Sequence, residues 1–283
     1  MMDIKYINET KTINVIHKGG ICYITFPKLS EAGVIHAFST RIGGVSTGHL
    51  GTMNLSFSRG DDPQNVMENH KRLAAAVGYD HRRLVFSDQV HGTHIRQVYE
   101  EDAGKGIIRT SDIKETDGLM TDAAGLPLIT FYADCVPVFF YDKKHHAIGI
   151  NHSGWRGTVA NISSHMIAAM HEAYGTDAAD LICAIGPSIC KSCYEVSEDV
   201  AGEFLAAYDK EQSARILSKK PDGKYLLDLH QANYFNLINA GVPEENIDVT
   251  DICTCCNPEI LFSHRASNGK RGNLAGVIML PAS

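Results

Sequence analysis

The stretch 131–158, FYADCVPVFFYDKKHHAIGINHSGWRGT, leaves the chain few options. Two β-rich apolar runs, Val136–Tyr141 and Ala147–Asn151, flank a short charged turn, which is the pattern of a hairpin. Antiparallel pairing brings the entry of the first run beside the exit of the second. Cys135 and His152 thus become neighbours, although 17 positions separate them. The turn that follows, Ser153-Gly154-Trp155-Arg156-Gly157-Thr158, adds an indole, a guanidinium and two glycines at the same end of the sheet. A thiol, an imidazole and a glycine-flanked Arg gathered there suit a site better than a core.

The remaining elements are read around that hairpin. Residues 21–28 and 34–39 alternate as strands do. Asp62 as N-cap, Pro63 in the first helical position and Gly78 as the stop predict a helix over 64–77. His91, in Gln89-Val90-His91-Gly92, follows a short strand at 84–86 and precedes another at 93–99. Residues 100–117 read as a long loop and 209–224 as a polar, turn-rich segment. Apolar residues at Ile162, Met166, Ile167 and Met170 have helical spacing within 159–174. Further helices are expected over 198–208 and 231–240, and strands at 181–185, 247–250 and 274–279. No regular strand–helix–strand beat with a phosphate loop occurs. The expectation is therefore a single α+β domain over residues 1–283, with mixed sheets flanked by helices.

Composition narrows the function. A formal charge of −7 with no basic stripe argues against binding a nucleic-acid backbone. No run approaches the length of a membrane span, and the first 15 residues lack the apolar centre of a signal peptide. A cytoplasmic protein with reduced thiols is expected, which turns attention to its eight cysteines.

Three chemical readings compete for those residues. His91, Cys135 and His152 each stand where an apolar strand meets a turn. Two imidazoles and a thiolate suit Zn²⁺, with copper as the other candidate, and three ligands leave a fourth position open. Cys135 and His152 alone, with Asp134 or Asp117 as orienter, would instead make a nucleophilic dyad, which has no need of His91. The third reading joins Cys190-Lys191-Ser192-Cys193 to Cys253-Thr254-Cys255-Cys256 as a Cys₄ zinc site. The 59 residues between these pairs exceed what a compact zinc ribbon uses, so packing thiols are the plainer expectation. Trp155 is a core residue or a stacking wall for a base. Arg41, in Ser39-Thr40-Arg41-Ile42-Gly43-Gly44, and Arg156 are candidate anion clamps. Gln89 and Asp134 are candidate supports for the ligands.

Gln89–Gly92, Ala133-Asp134-Cys135-Val136-Pro137 and His152–Thr158 resemble the three signatures of the laccase-domain, or multicopper polyphenol oxidase, family of YfiH-type proteins. Support comes from Ser39–Ser46, Ile185–Ile189, Cys193–Val196 and Phe262-Ser263-His264-Arg265, so the resemblance spans about residues 30–280. It is nearest to the YlmD-type purine nucleoside phosphorylases. The resemblance implies an α+β fold like that of a bacterial toxin deamidase, and a metal, usually zinc, on His91, Cys135 and His152. It also implies phosphorolysis of adenosine, inosine, guanosine and methylthioadenosine, and deamination of adenosine to inosine. Nucleoside and phosphate are then the small-molecule partners, and a homodimer is compatible with the sequence. A multicopper oxidase would need many His ligands, including His-x-His pairs, and the chain has none. A thiol hydrolase, a copper-dependent polyphenol oxidase and a non-catalytic metal-binding protein remain the rivals. The family pattern expects Gly-Arg before the last strand, whereas Gly272-Asn273 stands here, preceded by Arg271.

Overall fold

The central hairpin forms as the two apolar runs require. Strand Val136–Asp142 pairs antiparallel with Ala147–Ser153, in a register that sets Pro137 opposite His152 and Val136 opposite Ser153. Every residue of both strands is buried, because the sheet is covered on both faces. Val136, Val138 and Phe140 face one core, shared with helices, while Phe139 and Tyr141 face a second core between two sheets. Truncating a ring such as Phe139 to alanine would cost about 3–5 kcal/mol.

A computed structural model describes residues 4–8 and 12–282. In it, the hairpin is the middle of a six-stranded sheet. The spatial order is Ile247–Val249, Leu181–Ile185, Val136–Asp142, Ala147–Ser153, Gly118–Thr121 and Ile95–Gln97. A second six-stranded sheet runs Asn14–Lys18, Ile21–Thr25, Ile35–Ser39, Leu274–Met279, Leu128–Tyr132 and Val85–Phe86. A third sheet, of three short strands, is formed by Glu195–Val196, Tyr225–Leu227 and Leu217–Lys219. The architecture is α+β, with antiparallel and parallel pairs mixed in the two large sheets.

Most local expectations hold for the physical reasons that prompted them. Helix Pro63–Val77 starts where the Asp62 side chain accepts from the Gln64 amide and stops at Gly78, whose φ of 103° suits glycine. The expected helix over 159–174 is interrupted. A short helix, Trp155–Val159, is followed by Ile162–Tyr174, whose N-cap Asn161 sits at φ 56°. The segment 209–224 contains structure that its polarity hid: helix Lys210–Ile216, capped by Asp209, leads into strand Leu217–Lys219. Ile216 and Leu217 are its buried anchors, too few to give a periodic signal. Among the described residues no helix is long and apolar enough to cross a membrane.

Two pairings position the chemistry. Gly118–Thr121 pairs antiparallel with Ala147–Ser153, and the His152 amide donates to the Asp117 carbonyl at 2.7 Å. Leu181–Ile185 pairs parallel with Ile247–Val249, and a bridge continues that pairing from Ser188 to Cys253. The loops leaving these two parallel strands therefore emerge side by side.

Candidate functional site

The site is built around the buried carboxylate of Asp117. It accepts backbone N–H bonds from Val90 at 3.1 Å, His91 at 3.1 Å and Gly92 at 2.8 Å. The His152 Nδ1–H donates to the same carboxylate at 2.8 Å. Burial pushes the Asp117 carboxyl up, but the His152 ring and the amides outweigh it and hold the carboxyl below its ordinary value. The amide bonds also fold the 90–92 loop so that His91 takes a φ of 63°, a left-handed conformation costing about 1–3 kcal/mol. That loop delivers His91 to Cys135.

The structure brings His91, Cys135 and His152 together. One donor atom from each lies within 4.8 Å of the others, and Cys135 Sγ is 4.0 Å from His91 Nε2. The two imidazoles stand edge to face, 4.8 Å apart at 76°. Gly154 passes close over them: a Cβ there would lie 2.7 Å from His91 Cδ2 and 3.3 Å from Cys135 Sγ. Only glycine lets the strand leave across the donors.

Electrostatics primes the sulfur. Burial raises the Cys135 thiol, but the His152 and His91 imidazoles draw it down to about 6. Burial lowers His152, while Cys135 and Asp117 raise it to about 9. Both shifts favour a thiolate beside an imidazolium, a positive charge that a divalent cation would also supply. The donor set fits such an ion: a soft anionic sulfur, two imidazoles, and a carboxylate that fixes one ring so that Nε2 is the available nitrogen. Zinc suits it, and copper shares the preference for imidazole and thiolate.

Two cavities meet at these donors. One, of about 430 Å³, is lined by Phe57, Phe86, Phe131 and Arg59. The other, of about 440 Å³, is lined by Trp155, Arg156, Tyr194 and Arg265. His91, Ala133, Cys135 and Arg271 belong to both. The three donors are therefore reachable from flat aromatic surfaces and from cations.

The other expected residues divide. Trp155 and Arg156 line the second cavity, with the Arg156 guanidinium 4.2 Å from the indole centre. Gln89 lines the first, and its side-chain amide both donates to the Phe131 carbonyl and accepts from the Phe131 amide, each at 2.7 Å. Asp134, at φ 88°, accepts from the Thr254 hydroxyl at 2.6 Å and the Arg265 amide at 2.7 Å, so it braces the wall beside Cys135. Arg41 is placed elsewhere. Its guanidinium donates to the carbonyls of Gly51 and Pro258 and lies over Phe262, and it lines neither cavity. It is a strut between loops, which corrects its expected role as an anion clamp.

Arg271 is the residue the sequence reading left without a role. It lines both cavities, and its Nε is buried with no hydrogen-bond partner among the described residues. Burial and the nearby Arg59 lower its guanidinium to about 10. A buried donor without an acceptor is costly, and an anionic ligand would satisfy it. The available signal was its place two residues before the position where the family pattern expects an Arg.

Among the described residues a second group converges as closely: Cys190, Cys193, Cys253 and Cys256. Only the first group contains imidazoles. The His145–His146 pair is occupied in the hairpin turn, where His145 Nδ1 lies 2.8 Å from Asp142. Nothing among the described residues resembles the His-rich array of a multicopper oxidase.

The family described as multi-copper polyphenol oxidoreductase laccase matches residues 35–281. The protein from Geobacillus stearothermophilus named purine nucleoside phosphorylase YlmD is 35% identical over 248 residues, covering 87% of this chain and 90% of its own. The crystal structure of YlmD from that organism superposes with a TM-score of 0.89 at 33% identity, covering 95% of this chain and 99% of its own. That of the Bacillus licheniformis hypothetical protein YfiH gives 0.88 at 32% identity, covering 94% and 98%.

Proposed function

The chain belongs to the multi-copper polyphenol oxidoreductase laccase family, and we propose that it is a metal-dependent purine nucleoside phosphorylase that also deaminates adenosine. The observation that carries this reading is the convergence of His91, Cys135 and His152, one side open, at the junction of two cavities. The names of its relatives support the same substrate class. Adenosine, inosine, guanosine and methylthioadenosine are the proposed substrates.

His91, Cys135 and His152 would hold the ion, which when bound supplies Lewis acidity and concentrated positive charge. Asp117 keeps the His152 proton on Nδ1 and so keeps Nε2 directed to the ligand side. The aromatic rings offer stacking surfaces for a purine, worth about 1–3 kcal/mol. Arg271, with Arg156 from the second cavity, offers donors to phosphate. In phosphorolysis a phosphate oxygen bonds to C1′ while the C1′–N9 bond breaks, and the base departs with the electron pair and takes up a proton. In deamination a water oxygen bonds to C6 and ammonia leaves.

A second reading draws on a specific observation. The Cys135–His152–Asp117 relay is also the arrangement of a thiol hydrolase. That reading gives His91 no task, although His91 is held against Cys135 at a strained φ.

The test is product analysis with adenosine, with and without phosphate. Phosphate should be required for adenine and ribose 1-phosphate, whereas inosine should form without it. Arg271→Ala should raise the KM for phosphate about 10-fold, the worth of a charged hydrogen bond, and leave inosine formation near the wild-type rate. Adenine release that ignores phosphate would remove phosphorolysis from the account.

A further inference from the structure

The four-cysteine group is a site that neither the proposed reaction nor the family relationship uses. Two Cys-x-x-Cys turns supply it, Cys190–Cys193 and Cys253–Cys256, and all four Sγ atoms lie within 4.8 Å of one another. The sheet explains how a 59-residue gap is closed. Leu181–Ile185 and Ile247–Val249 run parallel and adjacent, the Ser188–Cys253 bridge extends them, and the Thr254 amide donates to the Ser188 carbonyl at 3.0 Å. Each turn is thus launched from its own strand toward the other.

We propose that Cys190, Cys193, Cys253 and Cys256 form a structural tetrathiolate site for Zn²⁺, separate from the His91–Cys135–His152 site. Four sulfurs about 2.3 Å from a tetrahedral zinc stand roughly 3.8 Å apart. The Sγ of Cys256 is 3.5 Å from that of Cys193 and 4.0 Å from that of Cys190, which brackets that spacing. Backbone amides point at sulfur as they do around metal-bound thiolates: the amides of Cys190 and Cys256 both donate to Cys253 Sγ, at 3.2 and 3.4 Å. A disulfide would join one pair and leave the other two sulfurs without a reason to converge. Cys255, in the same segment, interacts with the Cys193 thiol but is not one of the four mutually close sulfurs, which are those of the two Cys-x-x-Cys pairs. With four protein ligands and no open position, the site is structural in kind.

Its place in the fold says what it stabilises. The two turns brace groups that wall the cavity beside Cys135. Thr254, between Cys253 and Cys256, donates to Asp134 at 2.6 Å, and the Arg265 guanidinium donates to the Cys193 and Glu195 carbonyls at 3.0 Å each. Tying the turns together fixes Asp134, Tyr194 and Arg265 against the first metal site.

Metal counting and Co²⁺ substitution on wild type, His91→Ala and the double variant Cys190→Ser with Cys256→Ser test this. His91→Ala protein purified under reducing conditions should keep about one equivalent of zinc per chain. On exchange to Co²⁺ it should show the intense sulfur-to-cobalt charge transfer of a tetrathiolate. The double variant should lose that equivalent and that spectrum, and its unfolding midpoint should fall. If the double variant does not fold, the His91→Ala spectrum decides alone. The proposal fails if His91→Ala binds neither zinc nor Co²⁺, if bound Co²⁺ lacks the tetrathiolate spectrum, or if the intact reduced-purified chain carries a disulfide among these four thiols. Should the His₂Cys site prove metal-free, wild type and His91→Ala would show the same single tetrathiolate equivalent, so failure of the catalytic reading is distinguishable from failure of this one.

Discussion

The two thiol-bearing groups hang from the same end of one six-stranded sheet, yet they are built differently. Cys135 precedes Val136–Asp142 and His152 lies near the end of Ala147–Ser153; the four cysteines follow Leu181–Ile185 and Ile247–Val249. The first group has three donors, a buried carboxylate behind one of them, and two cavities in front. The second has four donors, backbone amides aimed at sulfur, and no position left over. Three ligands with an open side suit chemistry, and four suit cohesion. Asp134 joins them: it neighbours Cys135, and its side chain accepts from Thr254 between two of the four cysteines.

The largest expected effect opposes one cysteine from each group. Cys135→Ala should cost on the order of 10³-fold in adenosine turnover, the several kcal/mol that a Lewis acid contributes, with little change in the unfolding midpoint. Cys256→Ser should do the reverse, lowering the midpoint while leaving kcat within roughly a factor of 10. Steady-state kinetics and thermal unfolding on the same preparations read both. If both variants lose activity without losing stability, the division of labour collapses.

Asp117→Asn sharpens the comparison within the first group. The change keeps the shape of the side chain but weakens its hold on the His152 proton. Metal affinity or turnover should fall about 10–100-fold, with the secondary-structure signal unchanged. The same change has no counterpart among the four cysteines, whose sulfurs are supported by backbone amides.

The smallest effect lies at the opposite end of the same hairpin. Asp142 accepts from the Lys144 and His145 amides in the turn. Burial pushes its carboxyl up, but these donors together with the side-chain ones outweigh it, leaving the carboxyl below its ordinary 3.8. A depressed folded value means stability present above about pH 4 and lost as pH falls through the folded value. Asp142→Asn should therefore cost about 1–3 kcal/mol at pH 7, and progressively less in urea unfolding below pH 4, with turnover unaffected.

The sequence carried what was local and periodic. The hairpin was readable because both strands are buried on two faces and so apolar throughout. The helix from Pro63 was readable because Asp62, Pro63 and Gly78 mark its ends. His91, Cys135 and His152 were readable as candidates because each stands where a strand meets a turn. Asp117 and Asp134 were interchangeable as orienters until strand pairing set Asp117 against His152. The convergence of the four cysteines was not legible, because a parallel pairing that closes a long loop leaves no local trace. Arg41 misled, since a Gly-Gly turn with an Arg fits an anion as well as it fits the carbonyls of Gly51 and Pro258.

The central claim is that His91, Cys135 and His152 act as one metal-bearing nucleoside site. The direct measurement is adenosine turnover in phosphate while zinc is stripped from wild type by a chelator and then restored, with His91→Ala in parallel. The account predicts that adenine and inosine formation disappear together with the metal, return when zinc is added, and are absent from His91→Ala throughout. Undiminished turnover in metal-free wild type and in His91→Ala, abolished only by alkylation of Cys135, would contradict it and assign the site to thiol chemistry.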